Sequence, residues 1–316
     1  MDLVALPDRP VPEGARAGTV TTADRVPIRY ARWEPTGAPR KGTVVIVQGR
    51  TEFIEKYFDV VDELRARGFG VLAFDWRGQG GSGRLTRDIR KGHVRRFSDY
   101  QIDFEAIMDT VALPDCRPPF HALAHSMGGA IMIEALKAGR TWFDRVVLSS
   151  PMVRLAQVPR PTLPLAALTA LSWLGLGSMV IPGGSLEPLS QRPFGTNPVT
   201  SDPARYARVG AYADIDRRLG MGSPTIAWVR ESLKATAAFG HPLYAADIRQ
   251  PILIIAAGKD PLVSTPAVEE FGSRLRAGHT VVVPGAKHEL LFERDIYRRQ
   301  FWAAFDAFVP GEQPFL

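Results

Sequence analysis

Ser126 lies between an apolar run, Phe120 to Ala124, and a helix-forming stretch that begins Met127-Gly128-Gly129. A serine on such a strand-to-helix turn projects its hydroxyl from the bend, with the free N–H groups of the helix N-terminus behind it. That is the geometry of a nucleophile elbow. The usual pattern is G-x-S-x-G, and here Ala124 takes the first glycine position. An elbow serine needs an imidazole to accept its proton and a carboxylate to orient the imidazole, in the chain order serine, carboxylate, histidine. Asp260, in Gly258-Lys259-Asp260-Pro261, follows the apolar run Ile252 to Ala256; His288, in Gly285-Ala286-Lys287-His288-Glu289, follows Thr280 to Val283. Alone, either residue reads as a turn former or a loop histidine. Together they satisfy type, order and strand-end placement, so Ser126, Asp260 and His288 are the expected catalytic residues. The remaining histidines fit less well: His125 flanks the nucleophile, His121 lies within a strand, His93 and His241 come too early, and His279 opens a strand.

The acyl transfer such a triad performs also needs donors for a developing oxyanion. One is the backbone N–H of Met127; the other is assigned to Arg50, in the Gln48-Gly49-Arg50 loop after an early strand. The Arg50 side chain is expected to face solvent or to pair with a carboxylate such as Glu52. No Cys/His spacing suggests a metal, and Arg77-Gly78-Gln79-Gly80-Gly81 lacks the lysine and the length of a phosphate-binding loop. No metal and no cofactor are therefore expected.

The elements that must hold these residues alternate along the chain. Val26 to Trp33, Thr43 to Val47, Gly70 to Phe74, Phe120 to Ala124, Arg145 to Leu148, Ile252 to Ala256 and Thr280 to Val283 read as strands. Helices are predicted over Phe53 to Arg67, from Ser98 with Gln101 as a capping box, and over Met127 to Ala138, Pro266 to Arg276 and Arg294 to Phe308. This alternation predicts an α/β fold with a mostly parallel central sheet and helices on both faces. Residues 1–150 and 248–316 form the core, with 1–18 as an extended N-terminal segment. The interval 151–247 is proline-rich and lacks strand alternation, and it is too long for a structureless loop. It reads as an inserted helical cap over the strand ends where ligands bind.

The 316 residues, 45% of them hydrophobic and 23% charged, suit a globular chain with a sizeable core and exclude collagen-like, coiled-coil and low-complexity classes. The single cysteine, Cys116, cannot form an internal disulfide and fits a reduced cytosol. The net charge of +6 is concentrated in one stretch, where Arg84, Arg87, Arg90, Lys91, Arg95 and Arg96 face Asp88 alone. Such a patch suits nucleic acid, an acidic substrate, an anionic membrane or simple solvation. The N-terminus carries early aspartates and no apolar segment, unlike a secretory signal. Leu163 to Ile181 is uncharged and long enough to span a bilayer, but a span there would put Ser126 on one side and Asp260 with His288 on the other. A cap helix is the consistent reading, with Leu171 and Trp173 assigned to an acyl site.

With these residues in view, the chain resembles the α/β-hydrolase superfamily, and within it the bacterial lysophospholipase and monoacylglycerol lipase family. The resemblance runs from about residue 25 to 309. It rests on Gln48-Gly49-Arg50-Thr51-Glu52, Asp75-Trp76-Arg77-Gly78-Gln79-Gly80-Gly81-Ser82, Gly92-His93-Val94, Phe97-Ser98-Asp99-Tyr100, the elbow, and Ser150-Pro151-Met152. In the cap, Thr200-Ser201-Asp202 with Arg205-Tyr206, and Gly222-Ser223-Pro224-Thr225 with Trp228-Val229, are similar to stretches of the same family. Gln48 stands where relatives commonly have histidine, and Ala124 where they have glycine. The resemblance implies a serine hydrolase that cleaves carboxylic esters of monoacyl lipids. The single cysteine and the basic stretch add the expectation of a cytoplasmic protein in peripheral contact with an anionic membrane surface, and no nucleic-acid partner is expected. The rival readings are a short-chain carboxylesterase, a related peptidase with cap carboxylates holding an amino terminus, and a catalytically silent ligand-binding fold.

Overall fold

The computed structural model of the chain describes residues 2–158 and 162–309. Its strands are β1 (Arg16–Thr21), β2 (Pro27–Trp33), β3 (Thr43–Val47), β4 (Gly70–Phe74), β5 (Phe120–His125), β6 (Arg145–Ser149), β7 (Ile252–Ala257) and β8 (Gly278–Val283). They form one sheet in the order β1-β2-β4-β3-β5-β6-β7-β8. β2 pairs antiparallel with β1 and β4, and every other pairing is parallel. The helices are α1 (Phe58–Ala66), α2 (Ser98–Ile107), the short α3 (Leu113–Asp115), α4 (Met127–Lys137), α5 (Thr162–Trp173), α6 (Pro203–Ile215), α7 (Ile226–Phe239), α8 (Thr265–Ser273) and α9 (Asp295–Phe308).

The two-residue period of a strand divides the core into two layers. Val45 and Val47 of β3 bury on the side of α2, α4 and α8, with Phe104, Ile131 and Phe271. Val44 and Ile46 bury on the opposite side, with Phe58 and Leu64 of α1 and Phe301 and Phe305 of α9. Strands buried on both faces explain why their sequences read as continuous apolar runs. Between β6 and β7 the chain leaves the sheet, and the described residues there form α5, α6, α7 and short 3-10 turns, with no strand. This is the segment read from sequence as a helical cap, and the name is kept for it below; Pro159, Arg160 and Pro161 of it lie outside the described residues, as do Met1 and residues 310–316.

Three local expectations differ from the structure. The helix predicted from Phe53 opens instead as a 3-10 turn, Ile54–Tyr57, before α1. Ile54 N–H is held by Asp75 Oδ1 at 2.9 Å, and the tighter turn brings Glu55 to Arg29 at 2.7 Å. The capping box at Ser98 does not form: Phe97 is the N-cap, and Gln101 Nε2 instead donates to Ile131 O, tying α2 to α4. β1 was not anticipated, because it is an edge strand in which only Val20 is buried, so it carries almost no apolar signal. The apolar run beyond Leu163 breaks after α5, where Gly175 takes a left-handed conformation. Twelve helical residues rise about 18 Å, short of a hydrocarbon core of about 30 Å. No helix among the described residues is long and apolar enough to cross a membrane.

Candidate active site

The parallel strands deliver the expected residues to one edge of the sheet. Ser126 follows β5 with φ +50°, a strained conformation for a non-glycine residue that turns its side chain outward. Its backbone is pinned: the N–H donates to Ser149 O, and its carbonyl accepts from Ala130 N and Met152 N. Ser126 is the N-cap of α4, yet its hydroxyl bonds none of the helix amides and stays free for another partner. Gly128 is required by close approach, since a Cβ there would lie 2.2 Å from Val47 O. Ala124, in contrast, buries its methyl fully in the core, so the departure from the glycine pattern is accommodated.

His288, beyond β8, places Nε2 2.9 Å from Ser126 Oγ and Nδ1 2.6 Å from Asp260 Oδ2. Asp260, beyond β7, accepts at Oδ1 from the backbone amides of Leu262 and Val263. Burial pushes this carboxyl up, but the His288 ring and those two amides outweigh it and hold it below the usual range. An ionised Asp260 fixes the tautomer with Nδ1 protonated and Nε2 free to accept the serine proton.

The loop after β3 is held by side chains from three directions. Gly49 N–H donates to Glu52 Oε2; Thr51 N–H donates to Gln79 Oε1 at 3.3 Å; and Gln79 Nε2 donates to the carbonyls of Gly49 and Glu52. The amide between them, Arg50 N–H, has no acceptor among the described residues, and neither does Met127 N–H. These are the two amides assigned to the oxyanion from sequence. The Arg50 side chain corrects an expectation: it neither pairs with Glu52 nor faces bulk solvent. It donates to Gly222 O of the cap at 2.9 Å and lies 5.4 Å from the Trp228 ring.

Glu52 is engaged elsewhere, in a buried network that the sequence reading missed. It accepts from Tyr57 OH at 2.7 Å and from Lys56 Nζ at 2.8 Å, while Lys56 Nζ also reaches Glu289 at 2.7 Å, next to His288. His125 Nδ1 lies 3.0 Å from Glu52 Oε1, within ion-pair distance though not aligned as a hydrogen bond, and its ring centroid is 5.0 Å from that of His288. Burial opposes every charge here, but the pairing prevails: Glu52 is driven well below the carboxylate range, and Lys56 and His125 are raised. Glu52 and Gln79 stand in quoted motifs, so their presence was legible, but their task was not.

In the cap, Leu171 is half-buried in α5, whereas Trp173 is 85% exposed. Trp173 is thus a surface residue and not a pocket wall: no residue of α5 is fully buried, and the helix packs mainly on α7. The cap carboxylates that a peptidase would need are mostly engaged. Asp202 caps α6 and binds Arg205; Asp216 binds Arg218; Glu231 binds Arg230 and Lys234; and Asp214 accepts from Gln191. The basic stretch packs against the cap: Gly222 N donates to Arg90 O, Gly92 N to Ser223 O and Thr225 N to Gly92 O. A cavity of about 560 Å³ opens at the opposite edge of the sheet, beside Thr43 and Gly70, and the triad does not line it. Among the described residues no cluster of side chains suits a metal ion.

A mostly parallel eight-stranded sheet, an elbow serine, and an acid and a histidine at neighbouring strand ends define an α/β-hydrolase. Residues 38–295 match the family described as serine aminopeptidase, S33, and the chain belongs to that family. It is 35% identical over 290 residues to lysophospholipase L2 of Escherichia coli (strain K12), spanning 88% of this chain and 82% of that one. It is 28% identical over 270 residues to a monoacylglycerol lipase of Mycolicibacterium smegmatis, spanning 85% of this chain and 88% of that one. Among solved structures, a thermostable carboxyl esterase from Bacillus coagulans superposes with a TM-score of 0.75 over 93% of this chain and 97% of that one, at 20% identity. This last likeness speaks to the fold alone.

Proposed function

We propose that this protein hydrolyses carboxylic esters of monoacyl lipids, in the manner of lysophospholipases and monoacylglycerol lipases, through an acyl-enzyme on Ser126. The reading is carried by the continuous hydrogen-bonded line from Ser126 Oγ through His288 to Asp260. Ser126 Oγ attacks the ester carbonyl carbon as His288 Nε2 takes its proton. Asp260 stabilises the resulting imidazolium. The amides of Arg50 and Met127 donate to the tetrahedral oxyanion, where each such donor typically lowers the barrier by about 3 kcal/mol. His288 then returns the proton to the leaving alcohol, and a water molecule, activated by the same imidazole, releases the fatty acid.

Residues 1–150 and 248–316 act in this reading as the catalytic core and 151–247 as the cap. The exposed apolar side chains of α5 and the residue after it, with Leu163 at 82% and Leu174 at 75% exposure, support a lipid substrate over a short soluble ester. With the exposed Arg87, Arg95 and Arg96, they support action at an anionic membrane surface, and the free Cys116 fits a cytoplasmic setting. The test combines a fluorophosphonate probe with a substrate panel. The wild-type protein should label and should hydrolyse long-chain monoacyl lipids; Ser126→Ala should melt like wild type, take no label and hydrolyse nothing. Full labelling of that variant would move the nucleophile elsewhere. Turnover confined to acetyl and butyryl esters would make the protein a short-chain carboxylesterase instead.

A further inference from the structure

Arg50 is the anomaly of the active-site loop. The arginines that the fold buries most deeply, Arg29, Arg65, Arg77 and Arg298, each face a carboxylate within 4 Å. Arg50, half-buried between the loop and the cap, faces none among the described residues. Its one hydrogen bond goes from Nη1 to Gly222 O. The Nε and Nη2 nitrogens make none, and they are not sealed from solvent. The cleft it lines with Arg77, Gly92, Tyr100, Met221 and Trp228 offers it no carboxylate, and Arg192 adds only repulsion. Burial, with that repulsion, pulls the Arg50 guanidinium down to about 10, which still leaves it charged at neutral pH.

An enclosed guanidinium without a counter-ion is costly to maintain, and its free edge presents the planar fork that matches a phosphate. Its place on the chain says which phosphate. The Gly49–Arg50 loop abuts the nucleophile turn so closely that a Cβ on Gly49 would lie 2.8 Å from His125 Nδ1. From there the Arg50 side chain runs away from the sheet, toward Gly222, Trp228 and Gly92. A group bound at its free edge therefore sits between the nucleophile and the cap, where the alcohol half of a cleaved ester has to lie.

We propose that Arg50 is the specificity-determining residue of this hydrolase, receiving the phosphate of a monoacyl phospholipid head group and so favouring it over an uncharged glycerol head group. The inference rests on the lipid-esterase reading above. Through one residue, the loop that supplies an amide for the oxyanion would also sense the charge of the leaving group.

The experiment compares 1-palmitoyl lysophosphatidylethanolamine with 1-monopalmitoylglycerol, both in neutral-detergent micelles. The readout is the ratio of their kcat/KM values, because any disturbance of the loop or cap lowers both together. Arg50→Met keeps the stem against Trp228 and should lower the ratio about tenfold or more, mainly through KM, as expected for a lost charge-assisted hydrogen bond. Arg50→Lys should fall between the two. A second arm follows inhibition of p-nitrophenyl butyrate hydrolysis by inorganic phosphate and by glycerol 3-phosphate. Both should compete in the wild type and lose potency in Arg50→Met. A ratio that stays within about twofold of wild type would overturn the assignment and leave Arg50 as a latch between loop and cap. Phosphate inhibition with an unchanged ratio would also overturn it, since the site would then bind free phosphate only. If the wild type cleaves neither lipid, the lipid-esterase reading fails, and the inhibition arm still tests Arg50.

Discussion

The triad is supported by a layer of charge that does no bond-making. Glu52 gathers Gly49 N–H, Tyr57 OH and Lys56, and Lys56 carries the connection to Glu289, beside His288. One carboxylate thus braces the oxyanion loop and, through a lysine, the histidine loop. Glu52→Gln preserves shape but strips the charge facing Lys56 and His125; removing one member of a buried ion pair costs about 3 kcal/mol or more. Turnover of p-nitrophenyl butyrate should fall at least about tenfold even where the variant remains folded. Because Glu52 is driven below the carboxylate range in the folded protein, its stabilising contribution is present above the ordinary carboxylate pKa and is lost as the pH falls through the folded value. The stability gap between wild type and Glu52→Gln should therefore be wide at pH 7 and narrow in acid. An equal gap at both, with unchanged turnover, would leave the network without a part in catalysis.

Two elements set the behaviour of the cap. Leu163 of α5 and Leu174 just beyond it are exposed to water, and their burial in a membrane interface would contribute about 2 kcal/mol per side chain. Leu163→Ser with Leu174→Ser should lower kcat/KM about tenfold or more on palmitoyl esters in vesicles, leaving a soluble butyrate ester untouched. Parallel losses on the two would assign the leucines to packing. The cleft that Glu134 of α4 shares with Glu231 of α7 makes a different prediction. Burial and the nearby Glu231 push the Glu134 carboxyl up to about 7. The folded state then holds a proton that the unfolded chain, with its ordinary value of 4.5, has already released. Stability contributed by this group declines as the pH rises from the unfolded value to the folded one. Glu134→Gln should gain on wild type by about 2 kcal/mol between pH 5 and pH 8 in denaturant melts. A difference independent of pH would show that Glu134 ionises freely in the folded protein.

Over the whole molecule, the charge excess of the basic stretch is only partly available. Arg84 turns inward to the carbonyls of Gly80 and Arg218, and the backbone of Arg90 and Gly92 joins the cap at Gly222, Ser223 and Thr225. On its other side, Pro224 O accepts from Ile181 N and Met179 O from Ile226 N, so the basic loop and the segment following α5 are tied to the same short strip of cap. Arg87, Arg95 and Arg96 remain exposed beside it. Reversing these three to Glu should weaken binding to anionic vesicles by about 1 kcal/mol per charge or more, an effect lost as salt shortens the screening length to about 8 Å and below. Turnover of a soluble ester should not change. Vesicle binding equal to wild type at low salt would reduce the patch to a solvated surface.

The meeting of Ser126, Asp260 and His288, the proposed nucleophile, acid and base, was legible in the sequence, because each is marked by a local signal: an apolar strand, a turn, and a place in the chain order. The parallel sheet was legible for the same reason, since strands buried on both faces must be apolar throughout. The edge strand β1 carries no such mark and emerged only in the fold. What joins the site together is of the second kind. Lys56 meets Glu289 across 233 residues and Arg50 meets Gly222 across 172. No periodicity or spacing connects residues so far apart. Whether a buried lysine finds its carboxylate, or a half-buried arginine is left without one, depends on which loops the sheet brings to a common edge, and that is decided only when the strands pair.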